Sequence, residues 1–182
     1  MPAPAMTTEE YFRTPETVLP QELVYGVLRE AAAAPTPSHQ RIVGRFFVAL
    51  TQYLNASAEG EAWVAPVDVV LDTDRALVVQ PDLVVITNSR LSIVADRIRG
   101  APDLVIEVMS PHPRIGRLDE RLGWFAESGV RECWLIHQAV REVEVVHFAD
   151  GAFESREFFA QDEALRSRVL AAFDRTFDSI VG

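Results

Sequence analysis

Apolar positions along this chain follow two periods, and the changes between them mark out the elements. Ile42, Val43, Phe46, Phe47, Leu50, Tyr53 and Leu54 recur at helical spacing, which predicts a helix over about 39–55, with Ser38 as its cap. Leu118, Leu122 and Phe125 repeat the pattern, predicting a second helix from Ile115 to Ser128 that ends at Gly129. Near the N-terminus, Thr7 and Glu10 have capping-box spacing at the start of a short helix. Elsewhere the period is that of strands. Glu22 to Arg29 reads as a hairpin arm around Gly26, and Ala62 to Leu71 as a β-rich run closed by the turn Asp72-Thr73-Asp74. Leu77 to Ile86 reads as a strand interrupted by Pro81, and Leu104 to Met109 as another, stopped by Pro111 and Pro113. Glu132 to His137 and Glu142 to Phe148 follow, with Asp150-Gly151 as the next turn. Residues 14–20, 31–37 and 87–100 read as loops, the last with room for a short helix. Beyond Phe158 the apolar residues allow helix or strand. The sum is one α+β domain over 1–182 with an α/β-like core, a mixed sheet flanked by two main helices.

Composition narrows the chemistry. All 17 basic residues are arginines, so a Walker phosphate loop and Schiff-base catalysis are both excluded. The net charge of -10 argues against broad non-specific nucleic-acid binding, though not against a local basic groove. The single cysteine, Cys133, excludes an internal disulfide and a multi-cysteine zinc site, and its apolar strand marks it as a small core residue. His39, His112, His137 and His147 lack zinc spacing, and no Gly-x-Ser-x-Gly elbow occurs. No apolar stretch is long enough to cross a membrane, and Met1–Glu10 has neither the basic flank nor the apolar core of a secretory signal. A cytoplasmic protein is expected.

Acids inside apolar strands are the candidates for chemistry, because an unpaired buried carboxylate is costly. Asp68, Asp82 and Glu107 each interrupt a Val- and Leu-rich run. Such acids on neighbouring strands could converge on a hard cation such as magnesium; alternatively, each pairs with an arginine. Asp103 shares a face with Glu107 by alternation, but Pro102-Asp103 also reads as a plain turn into a strand.

Pro81-Asp82, followed 25 positions later by Glu107-Val108-Met109, resembles the signature of PD-(D/E)XK nucleases. With Glu22-Leu23-Val24-Tyr25-Gly26, Ser38-His39-Gln40-Arg41-Ile42-Val43, Ala65-Pro66-Val67-Asp68, Gln80-Pro81-Asp82-Leu83, Pro102-Asp103-Leu104-Val105-Ile106-Glu107 and Gly129-Val130-Arg131-Glu132-Cys133-Trp134, in that order, the chain resembles the Uma2 family of restriction endonucleases within that superfamily. The likeness runs from about residue 7 to about residue 180.

The resemblance implies a restriction-endonuclease-like fold and a magnesium- or manganese-dependent hydrolase acting on DNA, expected as a homodimer. Asp82, Glu107 and the Val108 carbonyl would hold the metal, and Glu22 would assist. His39 and Gln40 match the start of the family's first long helix. The superfamily's lysine slot holds Met109, and Arg121 stands where this family commonly carries lysine on the following helix. Arginine keeps the positive charge but cannot act as a base near neutrality. Arg117, one turn earlier, is a second candidate. Two other readings stay open: a nuclease-fold binding or regulatory module without cleavage, and a hydrolase of non-nucleic phosphoesters.

Overall fold

The computed structural model describes residues 5–15, 20–30, 35–110 and 117–182. His112, Pro111, Pro113 and the expected start of the second helix at Ile115 lie outside them.

The apolar periods become elements close to where the sequence places them. Helix α1 is Thr8–Phe12, closed by the Thr7–Glu10 capping box. Strands β1 (Gln21–Val24) and β2 (Val27–Glu30) form the hairpin around Tyr25-Gly26. Helix α2, Pro37–Ser57, is capped by Thr36 rather than Ser38: the Thr36 Oγ1 accepts from the His39 N–H, and Pro37 takes the first helical position, where its missing N–H costs nothing.

The expected β-rich run at 62–71 is two strands, β3 (Gly60–Val64) and β4 (Val69–Asp72), separated at Pro66. Likewise Pro81 divides β5 (Leu77–Val79) from β6 (Leu83–Thr87), because proline has no N–H for a ladder bond. A 3-10 turn over Asn88–Ile93 leads to the short β7 (Ile98–Arg99). Strand β8 is Leu104–Met109, helix α3 is Leu118–Ser128 with Gly129 left-handed at its end, and β9 is Glu132–His137. Strands β10 (Glu142–Ala149) and β11 (Ala152–Phe159) precede an irregular segment and the terminal helix α4, Phe177–Val181.

These strands build two sheets, ordered β2-β1-β5-β4-β7 and β11-β10-β9-β8-β6-β3. Strands β8 and β9 are parallel and joined through α3. The larger sheet is covered on both faces, which explains its nearly unbroken apolar strands. Leu104, Ile106 and Val108 of β8 pack with α2 and the C-terminal segment. Val105 and Met109 pack on the opposite face with α3 and residues of the smaller sheet. Cys133 is fully buried there, and burial raises its thiol pKa well above the ordinary range, which leaves an inert core residue. No helix among the described residues is long and apolar enough to cross a membrane.

Asp103 is the turn residue rather than a site residue. It is fully buried, accepts from the Thr87 N–H (2.8 Å) and Oγ1 (2.9 Å), and pairs with Arg131 (3.3 Å). Asp103→Ala strands the Thr87 amide and should lower stability by about 1–3 kcal/mol in urea denaturation. An unchanged midpoint would mean that Thr87 finds another acceptor.

Candidate active site

The break at Pro81 carries the chain from one sheet to the other and leaves Asp82 immediately before β6. Strands β6 and β8 are antiparallel, with Leu83 opposite Ile106 and Val84 opposite Val105. Asp82 lies one residue before this ladder, close enough to Glu107 for its charge to raise the Glu107 carboxyl, an unfavourable like-charge contact. Asp82 is fixed by two contacts to its Oδ2: the Val108 N–H donates at 2.8 Å, and the His39 Nε2 lies at 3.2 Å.

Glu107 meets a guanidinium. The Arg121 Nε donates to the Glu107 Oε1 at 2.7 Å, and the Arg121 Nη1 donates to the Glu22 Oε2 at 2.8 Å. Arg121 thus bridges β1 and β8 from α3. Glu22 is fully buried, and its other oxygen accepts the Gln80 backbone N–H at 2.7 Å. Both Glu22 oxygens are therefore engaged, and Glu22 acts as the counter-ion of Arg121. Burial drives the Glu107 carboxyl up to about 7; Arg121 pulls it down, while Asp82 and Glu22 push it up. Burial opposes the charge on Arg121, but Glu107 and Glu22 more than offset this and hold its pKa above the ordinary value. Arg121 is permanently charged here and cannot exchange a proton.

A polar chain supports the site from behind. The Gln80 Nε2 donates to the Asp68 Oδ1 at 2.9 Å, and the Arg97 Nε donates to the Asp68 Oδ2 at 3.1 Å. The Tyr11 hydroxyl also reaches Asp68 at 3.3 Å, and burial together with that carboxylate raises the Tyr11 pKa. Asp68 is accordingly an arginine-paired acid.

Of the residues singled out in the sequence, Glu22, Asp82, Glu107, Val108 and Arg121 come together, whereas Arg117 does not. Arg117 is an exposed residue at the start of α3, paired with its neighbour Asp119 at 2.9 Å. Met109, in the lysine slot, packs among apolar residues. Gln40 is exposed, while His39 beside it is buried against Asp82. Gln80 lies in the Gln80-Pro81-Asp82-Leu83 stretch of the resemblance, but nothing in the sequence assigns it a role of its own; its signal is a polar side chain between Val79 and Pro81-Asp82.

Oxygen donors suit a hard cation, which magnesium-type sites hold with one or two carboxylates, the remaining positions going to water and phosphate. Asp82 and Glu107 are the candidates for such a pair: among the described residues their hydrogen bonds fall on the Asp82 Oδ2 and the Glu107 Oε1. Among the described residues, no group of three or more His, Cys, Asp or Glu side chains is placed to hold a metal.

The fold has a solved counterpart. A putative nuclease belonging to DUF820 from Anabaena variabilis superposes with a TM-score of 0.80 at 18% identity, covering 97% of each chain. Among curated proteins there is no match. The family described as Uma2, putative restriction endonuclease, matches residues 8–178, and the chain belongs to that family.

Proposed function

We propose that the protein is a magnesium- or manganese-dependent endonuclease that hydrolyses phosphodiester bonds in DNA. The observation that carries this reading is the proximity of the Asp82 and Glu107 carboxylates, in a site where Glu22 is already committed to Arg121. Arg121 answers the charge of Glu107 only in part, since it also serves Glu22, and the charge of Asp82 still opposes that of Glu107; a divalent ion would relieve this repulsion. Asp82, Glu107 and the Val108 carbonyl would hold that ion. When bound, the ion would polarise a phosphoryl oxygen and offset the acids' repulsion of the nucleic-acid backbone.

The chain's own residues supply positioning and charge. Val108 N–H and His39 orient Asp82. Arg121, the stand-in for lysine, stabilises negative charge developing on phosphate without taking up a proton. Membership of the family and the fold of the Anabaena variabilis nuclease support this reading. Cytoplasmic location and a homodimer, one subunit per DNA strand, complete the proposal.

A plasmid-nicking assay tests it. Wild type should nick supercoiled DNA only when magnesium or manganese is present, and Asp82→Asn should lose at least about a hundredfold in rate, as expected on losing a group that holds charge in the transition state. Equal nicking by the two proteins would exclude Asp82 from catalysis.

A second reading, a nuclease-fold binding module, is favoured by one feature. Arg121 is clamped by two carboxylates and cannot act as a base. Metal binding by wild type without nicking of any DNA or RNA would favour that module.

A further inference from the structure

The β1–β2 turn carries a residue that its backbone does not suit. Val24 pairs with Val27, so Tyr25 and Gly26 form a two-residue turn with φ of +50° and +79°. Such turns prefer asparagine or aspartate before glycine, and a bulky aromatic in the left-handed region is strained. Strain of this kind points to a use for the side chain.

The surroundings of Tyr25 indicate that use. Its side chain is 40% exposed, yet it is held in place. The Arg75 guanidinium lies 4.8 Å from the ring centre, and the Arg75 Nη2 donates to the phenol oxygen at 3.0 Å. The Trp124 ring meets it edge-on at 6.2 Å. Arg29 in turn sits 5.6 Å from the Trp124 ring. Tyr25 and Arg75 also line a cleft of about 450 Å³ between the hairpin, the segment leading into α1 and the turn at 73–76.

This cluster adjoins the acidic site. Arg29 is the cross-strand partner of Glu22, and Glu120, which accepts from Arg29 at 3.5 Å, immediately precedes Arg121. Tyr25 is three residues beyond Glu22, about 10 Å along an extended strand. Both arginines are paired with partly exposed glutamates, Arg29 with Glu120 and Arg75 with Glu127. Surface pairs of this kind are weak, and a phosphate can replace the glutamate as the arginine's partner.

We infer that Tyr25, held by Arg75 and by Trp124 with Arg29 beyond it, is a stacking platform for one base of single-stranded nucleic acid whose backbone continues towards the Asp82–Glu107 site. The inference rests on the nucleic-acid reading above. It also accommodates the acidic chain: base stacking needs a π-face and a few local cations, not a basic surface.

Anisotropy of a fluorescein-labelled oligothymidylate and of a labelled duplex, with calcium in place of magnesium, tests the platform. Tyr25→Asn suits the turn, so it should melt no lower than wild type while binding the oligothymidylate about tenfold more weakly, the usual loss for one stacked base. Tyr25→Phe, which keeps the ring, should bind like wild type, and duplex binding should not change in either variant. The platform is overturned if Tyr25→Asn binds as well as wild type, if Tyr25→Phe is as weak as Tyr25→Asn, or if wild type binds no oligothymidylate. Metal-dependent nicking judges the nuclease reading separately: a Tyr25-dependent oligonucleotide binder that never nicks keeps the platform and loses the nuclease, and a nicking enzyme whose binding ignores Tyr25 does the reverse.

Discussion

Arg121→Met should lower the unfolding free energy by about 3–5 kcal/mol at pH 8, the loss expected when one partner of a buried ion pair is removed. Methionine keeps much of the volume and none of the charge, so the change reports the electrostatics. Without the guanidinium, Glu22 retains one hydrogen bond, from the Gln80 N–H, inside a fully buried setting. Glu107 loses its 2.7 Å donor as well. Arg121→Lys should fall between the two, because a single ammonium keeps the charge but lacks the planar fork that spans Glu22 and Glu107. Urea denaturation of the three proteins measures this. A loss below about 1 kcal/mol for Arg121→Met, the value of an exposed pair, would mean that the bridge is not a buried one.

Glu107→Gln should have the opposite sign. In the metal-free protein the Glu107 carboxyl titrates at about 7, raised from 4.5 mainly by burial. The folded chain therefore holds this proton more tightly than the unfolded chain. The associated stability is complete below pH 4.5 and is lost as the pH rises through 7. Fully ionised, the group destabilises the fold, and glutamine removes that cost. Metal-free Glu107→Gln should thus be more stable than wild type at pH 8, and the two should converge towards pH 5. Magnesium should stabilise wild type at pH 8 and do little for the variant, since only a site that binds the ion gains from it. Thermal melts at several pH values decide the point; parallel curves for the two proteins would show that Glu107 does not titrate in this range. A site that is less stable with its acid ionised is what a functional carboxylate, kept against the interest of the fold, would produce.

Local pattern made part of this architecture legible. Strands Leu104–Met109 and Glu132–His137 coincide with their apolar runs, because a strand buried on both faces reads as a nearly continuous apolar stretch, Glu107 being the one polar interior position. The capping box at Thr7 and the left-handed Gly129 follow from chemistry within one helical turn. Other features depend on partners distant in sequence. Nothing near Pro81 says that the strands on either side join different sheets, and β11 alternates too weakly to announce itself. The acids show the same limit. Asp68 and Asp82 both interrupt valine-rich runs, yet Asp68 meets Arg97 while Asp82 meets the Val108 N–H and His39, a difference that only the tertiary arrangement decides. Arg117 and Arg121 are one turn apart, and α3 begins between them, which leaves Arg117 in solvent and carries Arg121 into the site. The resemblance, which drew on text along the whole chain, did indicate the group that assembles: Glu22, Asp82, Glu107 and Arg121.

The central claim is that Asp82 and Glu107 form one divalent-cation site. Calorimetric titration of magnesium and manganese into wild type, Asp82→Asn and Glu107→Gln at pH 8 tests it most directly. A single site in wild type that is lost in each variant, with both variants still folded, is the predicted result. Binding that survives both substitutions, or no binding by wild type, would contradict it.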